Sequence, residues 1–275
     1  MISKLLLKIP SLRRLNPLLQ FEVNRHMDPA FFIVGFQKCG TTSLYDMLVQ
    51  HPDVSKGLMK ENNILAEKAD RLNEFRLCFP LNEKGKITGD ASHLHTWMPW
   101  GLERIKNFYP NAKLIVIMRD PVKRAFSHFN MEQKIGYVTQ NLTFDQYLDI
   151  ENILRKSIED GTDPDETYNK TKLYGNRYGW ALSRGIYANY IEKIQNLEMD
   201  FLPMFMEDLA TDYEGQSRRV QYFLGLNYSN LPQKVTNRGK YQSKLNQDTE
   251  RRLKAFYKPH DDRLESLLNC SLAWR

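Results

Sequence analysis

One lysine and three hydroxyl side chains lie in and after a glycine-containing turn near the start of the chain. The turn runs from Gly35 to Gly40, contains Lys38 and leads into Thr41–Ser43. An apolar run, Phe31–Val34, precedes it, and a segment with helical spacing follows. The first N–H groups of a helix have no partner inside the helix and point towards an anion. These residues therefore predict a cradle for a phosphate group, with a nucleotide phosphate as the candidate.

The turn resembles the P-loop pattern G-x-x-x-x-G-K-[ST], with one displacement. Thr41 follows the second glycine, where that pattern has a lysine, and the cation is Lys38 inside the turn, next to Cys39. The displaced position of Lys38 indicates that it neutralises the charge of one phosphate rather than binding a triphosphate.

A second anion-binding group is predicted after the apolar run Lys113–Met118. Arg119 follows this run directly, and Ser127 comes two helical turns later. The planar guanidinium of arginine binds two phosphate oxygens at once, so this pair suits a second phosphate. An ordinary salt bridge from Arg119 to Asp120 is the alternative.

Two further segments carry candidate residues. Glu61 follows Lys60, and a carboxylate there could act as a general base towards an acceptor hydroxyl, although a surface glutamate is the simpler reading. The basic turn Arg238, Gly239 and Lys240 could close over a nucleotide phosphate, although basic loops are common.

Alternating strands and helices must position these residues. Apolar runs predict strands, and helical spacing predicts helices. Ligands are expected at the carboxyl ends of such parallel strands. We therefore predict an α/β fold, a single P-loop-like domain over residues 30–275 with a central, mostly parallel sheet and helices on both faces, after a basic extension at 1–29. The predicted strands are Phe31–Val34, Ile87–Ala91, Lys113–Met118 and Phe201–Met206, and the predicted helices are Thr42–Gln50, one starting at Pro121, Ile186–Leu197, Tyr213–Leu224 and Asp248–Tyr257.

Composition narrows the function classes. The chain has 275 residues and a net charge of +6, which suits an anionic ligand. Nucleic acid is not implied, because the paired arginines are scattered along the chain. The three cysteines have no metal-ligand spacing, so neither a disulfide framework nor a zinc site is expected.

Location is predicted from the N-terminal segment. Met1–Phe21 is basic and leucine-rich, but charged residues and prolines interrupt each apolar run before it could span a bilayer. No signal peptide is recognised, so a cytoplasmic protein is expected, with peripheral membrane contact through this segment as an alternative. Oligomeric state is not readable.

Taken in order, these motifs resemble the sulfotransferases that use 3′-phosphoadenosine 5′-phosphosulfate (PAPS), in the branch that contains heparan sulfate and other carbohydrate sulfotransferases and bacterial relatives. The similarity begins at Gln37–Thr42 and His51–Val54 and continues through Lys60-Glu61 and Leu114–Phe129. It extends to the basic turn near residue 239 and so covers nearly the whole chain from Phe31 on.

The resemblance implies a role for each motif. Lys38 and the backbone of Gly40–Ser43 would hold the 5′-phosphosulfate, and Arg119 with Ser127 would bind the 3′-phosphate. Glu61 would remove the acceptor proton. The product would be 3′-phosphoadenosine 5′-phosphate (PAP). No metal is required, since a sulfuryl group carries less charge than a phosphoryl group and Lys38 can neutralise the leaving phosphate.

The segment Gly89–His95 departs from the family pattern, which often has Ser-Pro-x-Tyr there and, in heparan sulfate enzymes, a substrate-contacting lysine. This departure disfavours heparan sulfate as acceptor. Related cytosolic enzymes use a histidine as base, so His93 or His95 competes with Glu61. Trp100 and Arg184 are further acceptor-binding candidates.

A carbohydrate or glycolipid is the expected acceptor, with a lipid or a tyrosine as alternatives. Two other functions stay open from the residues. A P-loop kinase or NTPase would use the variant loop and Asp120 with magnesium. A noncatalytic membrane-surface or glycan-binding protein would use the basic surface.

Overall fold

The computed structural model describes residues 21–67, 71–98, 100–159, 181–233 and 244–275. These residues form two compact units. The first consists of Met1–Met118 with Glu192–Thr236, and the second of Arg119–Ile191 with Asn237–Arg275. The predicted boundary between an extension at 1–29 and a domain at 30–275 stays a prediction.

A parallel sheet of four strands lies at the centre of the first unit, in the order β2-β1-β3-β4. Ile33 is paired with Ile115, and Ile115 in turn with Leu202. Every residue of the first strand is buried, which explains its unbroken apolar sequence. The strands are β1 (Phe31–Gly35), β2 (Gly89–Asp90), β3 (Lys113–Met118) and β4 (Phe201–Phe205).

The predicted α/β class with a parallel sheet flanked by helices is confirmed. β4 lies at the edge, where Pro203 can be accommodated because its missing N–H faces no further strand. The second strand is shorter than the predicted Ile87–Ala91, since Ile87 forms only an isolated bridge with Val54.

Helices connect the strands and continue into the second unit. The predicted helices are confirmed with shifted ends, and the last continues past the predicted end at Tyr257 to Leu268, with Pro259 inside it. Within the described residues the helices are α1 (Thr41–Leu48), α2 (Leu72–Arg76), α3 (Leu94–Trp97), α4 (Gly101–Phe108), α5 (Pro121–Lys134), α6 (Phe144–Glu159), α7 (Ala188–Asn196), α8 (Met206–Thr211), α9 (Tyr213–Phe223) and α10 (Gln247–Leu268).

The second unit has its own apolar core between α5, α6 and α10. Phe126 and Phe129 of α5 contact Phe144 of α6, with ring centroids 5.3 Å apart in both pairs. Leu253 and Tyr257 of α10 belong to the same cluster. This core fixes α5, the helix that carries Ser127.

None of the helices in the described part of the chain is long and apolar enough to cross a bilayer.

Candidate active site

The predicted phosphate loop, from Gly35 to Gly40, connects β1 to α1. Gly35 ends β1, where a Cβ atom would lie 2.8 Å from Ile117 Cγ2 and 2.9 Å from the Ile117 carbonyl oxygen. Only glycine permits this approach of β1 to β3. Lys38 and Gly40 then have φ values of +76° and +91°, which turn the chain sharply into α1. A non-glycine residue adopts such a φ at a cost, so the strained position of Lys38 is a feature of the site.

The start of α1 directs its first N–H groups towards the turn that holds Lys38. Gly40 is the N-cap, and a glycine has no side chain that could cap the helix from this position. The Gly40 carbonyl accepts a hydrogen bond from Leu44 N–H at 3.0 Å, so the helix begins directly after the turn. Thr41 is buried, Thr42 and Ser43 are half-buried, and Cys39 is fully buried. The helix dipole and the half-buried Lys38 both favour negative charge here.

Glu61 lies in the same unit, on an irregular segment that is attached to α1. The Gly57 N–H donates to the Tyr45 hydroxyl at 2.9 Å. Lys60 Nζ lies 4.0 Å from Asp46 Oδ1 and 5.8 Å from the centroid of the Tyr45 ring. Tyr45 and Asp46 belong to α1, so the helix that follows the phosphate loop also holds the segment before Glu61. The Glu61 side chain is exposed.

His95 corrects one expectation. It is fully buried, packs edge-on against Phe32 and Phe75, and has its pKa lowered to about 3 by burial and by His93. A fully buried imidazole with so low a pKa can neither reach an acceptor nor hold the proton that a general base must accept. His95 is therefore removed from the acceptor-binding and base candidates, while the half-buried His93 stays a candidate.

Trp100 supports the chain that follows Glu61. Its indole N–H donates to the Ala66 carbonyl at 2.9 Å. Arg104 Nη1, one helical turn later, donates to the Leu65 carbonyl at 3.2 Å. The hydrogen bond of Trp100 therefore has a structural role. Contact between its half-buried ring and the acceptor stays a prediction.

Arg119 is the first residue of the second unit and precedes α5. Its carbonyl accepts a hydrogen bond from the Tyr187 hydroxyl at 2.8 Å, which fixes the backbone from which the guanidinium extends. Ser127 lies on α5 and is buried. Asp120 Oδ1 accepts from the N–H groups of Val122 and Lys123 at 2.9 and 3.2 Å, so Asp120 caps α5.

Arg184 lies in a 3₁₀ turn, Ser183–Gly185, that a buried carboxylate holds. Glu151 Oε1 accepts from Leu182 N–H at 2.7 Å and from Ser183 N–H at 3.1 Å. Burial raises the pKa of Glu151 to about 7, and these hydrogen bonds and the charge of Arg124 oppose the rise. Burial, reinforced by Arg124, lowers the pKa of Arg184. The turn is thus rigidly supported inside the second unit.

Sequence reasoning missed one residue of the first unit, Asp90. It ends β2, is buried, and accepts a hydrogen bond from Asn62 Nδ2 at 3.1 Å. An aspartate at the carboxyl end of a predicted parallel strand was the available signal.

Other predicted features lie outside the described residues, namely the basic turn Arg238, Gly239 and Lys240 and the N-terminal segment 1–20. Within the described ranges, no group of three or more His, Cys, Asp or Glu side chains could hold a metal ion.

The fold and the loop define an α/β protein with a glycine-containing turn between a buried strand and a helix. The model of the sulfotransferase domain family matches residues 28–258, which include the phosphate loop, Glu61 and Arg119. This match covers more than half of the chain, so the chain belongs to the sulfotransferase domain family, as the resemblance implied.

Two curated relatives and one solved structure place the chain within that family. Carbohydrate sulfotransferase 15 of Homo sapiens is 26% identical over 317 residues, a match that covers 90% of this chain and 54% of the relative. Heparan sulfate glucosamine 3-O-sulfotransferase 6 of Mus musculus is 29% identical over 206 residues, covering 74% of this chain and 54% of the relative. The chain therefore spans about half the length of these relatives. A sulfotransferase from Alicyclobacillus acidocaldarius has a TM-score of 0.71 at 25% identity, covering 90% of this chain and 98% of that structure.

Proposed function

We propose that this protein transfers a sulfuryl group from PAPS to a hydroxyl, or less readily an amine, of a carbohydrate-type acceptor. The observation that carries the proposal is the combination of the family match with a strained turn that holds Lys38 and leads through a glycine N-cap into α1. A helix start of this kind suits an anion, and the family supplies its chemistry.

The donor is bound by charge and by backbone N–H groups. Lys38, Cys39, Gly40 and Thr41–Ser43 bind the 5′-phosphosulfate, and the position of these residues at the N-terminus of α1 supports this role. Arg119 and Ser127 bind the 3′-phosphate together with the basic turn at 238–240. A 3′-phosphate separates PAPS from ATP, so this second group of residues selects the donor.

The transfer is an in-line displacement at sulfur. The acceptor oxygen forms a bond to sulfur while the bond from sulfur to the phosphate oxygen breaks, and the electron pair of that bond stays on the departing PAP. Glu61 takes the acceptor proton, and Lys38 stabilises the charge that grows on the leaving oxygen. General-base catalysis is typically worth about 10²–10⁴ in rate. A preorganised charge at the leaving oxygen is worth about 10²–10³.

A carbohydrate acceptor is supported by the two curated relatives, whose names describe carbohydrate and heparan sulfate glucosamine sulfotransferases. Their identities of 26% and 29% leave a lipid or tyrosine acceptor as a second candidate within the same chemistry.

A P-loop kinase is disfavoured by Asp120. A magnesium-binding aspartate must present its carboxylate to the metal, whereas Asp120 uses Oδ1 to cap α5 and has Oδ2 3.5 Å from Lys123 Nζ.

The test is transfer of radiolabelled sulfate from PAPS to a panel of acceptors: unsulfated chondroitin, heparosan, a glycolipid extract and p-nitrophenol. We expect label in at least one acceptor, and loss of transfer in Lys38→Ala and Glu61→Gln. Of these two variants, only Lys38→Ala should also weaken PAP binding. A parent protein that neither transfers label nor binds PAP would refute the proposal.

A further inference from the structure

Glu61 is placed on a segment that could not hold it still unaided. Its side chain is exposed, its φ is +52°, and the next turn of 3₁₀ helix begins only at Ile64. A general base must stay within hydrogen-bond reach of the proton that it accepts. A displacement of about 1 Å at a reacting group can cost about 10²-fold in rate. In the part of the chain that the structure describes, the contacts with α1 reach only as far as Lys60, so a further contact must fix the backbone from Glu61 onwards.

The two residues after Glu61 provide that contact. Asn62 turns inwards, where its Nδ2 donates to Asp90 Oδ1 at 3.1 Å and its Oδ1 accepts from Ile64 N–H at 3.1 Å. Asn63 has a φ of +53°, and its Nδ2 donates to the Glu61 carbonyl at 2.9 Å. The backbone that carries Glu61 is thus tied to the end of β2 and to the turn that follows.

Burial of the Asp90 carboxylate is energetically unfavourable. Asp90 is the last residue of β2, and only 2% of it is exposed. Burial raises the pKa of Asp90 to about 6, hydrogen bonds from Ser92 and the Ala91 backbone oppose this rise, and the charge of Glu61 adds to it. Apolar residues would usually fill such a position at lower cost.

The neighbouring His95 does not explain why a carboxylate is buried at position 90. His95 Nδ1 lies 3.4 Å from Asp90 Oδ2, but burial lowers the pKa of His95 to about 3, so the ring is neutral and forms no ion pair. The hydrogen bond from the Asn62 amide joins Asp90 to the Glu61 segment.

We infer that Asp90 and Asn62 form a positioning pair that holds Glu61 in place for proton transfer. The inference rests on the proposed role of Glu61 as the general base. Neither residue touches the reacting atoms, since both act through the backbone of the Glu61 segment. Asp90 anchors the amide of Asn62 to the sheet, and the amide fixes the strained backbone beside Glu61.

An exchange of the two side chains tests the pair. Asn62→Asp places two carboxylates against each other and should separate them by repulsion. The double variant Asn62→Asp with Asp90→Asn restores one amide and one carboxylate, with a carboxylate oxygen still available to Ile64 N–H. Asn107→Asp makes the same change of charge on the exposed face of α4 and serves as the control.

The readouts are kcat for labelled sulfate transfer to chondroitin, heparosan or p-nitrophenol, the Kd for PAP, and the free energy of unfolding. We expect kcat of Asn62→Asp to fall by about 10²-fold with unchanged PAP binding. The double variant should recover at least about tenfold. The control should match the parent. A double variant as slow as Asn62→Asp, or an Asn62→Asp variant as fast as the parent, would overturn the inference.

Crystal structures with PAP decide the case in which none of the three probes accepts sulfate. The Glu61 side chain should be displaced in Asn62→Asp and return in the double variant, and an undisplaced Glu61 in Asn62→Asp would overturn the inference. Failure of the proposed function is distinguishable, because the parent itself would then not bind PAP.

Discussion

Replacement of Gly40 by alanine separates the backbone geometry of the phosphate loop from its packing. A Cβ atom at Gly40 would meet Ile117 Cδ1 and Met206 Sδ at 3.7 Å, which is ordinary contact. The cost of the substitution therefore comes from the φ of +91° alone. A left-handed backbone costs a residue with a side chain about 1–2 kcal/mol.

Gly85→Ala is the matched control in the same unit. Gly85 has a φ of +78°, and its added Cβ would meet no atom within 4 Å. Chemical denaturation should show that Gly40→Ala and Gly85→Ala each lower the free energy of unfolding by about 1–2 kcal/mol. A much larger loss for Gly40→Ala alone would mean that contacts rather than backbone strain decide this position.

PAP binding should distinguish the two variants. Relief of the strain at residue 40 would turn the first N–H groups of α1 away from the anion. In calorimetry we expect the Kd of Gly40→Ala for PAP to rise at least about tenfold, a loss of about 1.4 kcal/mol, while Gly85→Ala binds like the parent. Unchanged binding by Gly40→Ala would refute the argument that this turn orients the anion site.

Three further substitutions test other parts of the account. Glu61→Gln should lower kcat by about 10²–10⁴-fold with unchanged PAP binding, and an active variant would reassign the base, with His93 next to be tested. Asp120→Ala removes the cap of α5 and should cost about 1 kcal/mol in chemical denaturation, whereas a loss of magnesium-dependent nucleotide binding would contradict its role as a cap. The pKa of Glu151 is raised from 4.5 to about 7, so its protonated form stabilises the folded state at low pH and this contribution is lost as pH rises through 7. Glu151→Gln keeps an oxygen acceptor. Between pH 4.5 and about 8, the free energy of unfolding of the parent should fall by up to about 3 kcal/mol relative to that of this variant. A difference between the two proteins that stays constant with pH would contradict the raised pKa.

Strands were predictable where burial on both faces forces an unbroken apolar run. β1 and β3 have that signal, and the Pro203 of β4 is compatible with the edge position of that strand. The short helices α2, α3 and α8 were missed, because four to six residues are too few for a helical period to show. The helical spacing of α6 is visible in Phe144, Tyr147 and Leu148, but this helix was not predicted from the sequence.

The site was predictable where a local motif determines the backbone. The phosphate loop needs only a strand, a tight glycine turn and a helix start, all of which are adjacent in sequence. The burial of His95 and the contact between Asn62 and Asp90 depend on residues that are distant in sequence, and no local pattern encodes them. The position of Asp90 at a strand end was visible in the sequence, but its contact with Asn62 is visible only in the folded chain.

The central claim is that Lys38, inside the first glycine turn, neutralises a departing nucleotide phosphate. Calorimetric titration of the parent and of Lys38→Ala with PAP, and separately with ATP and magnesium, tests it most directly. The account predicts that the parent binds PAP more tightly than ATP, and that Lys38→Ala weakens PAP binding by at least about tenfold. Tighter binding of ATP with magnesium by the parent, or equal PAP binding by the parent and Lys38→Ala, would contradict the account.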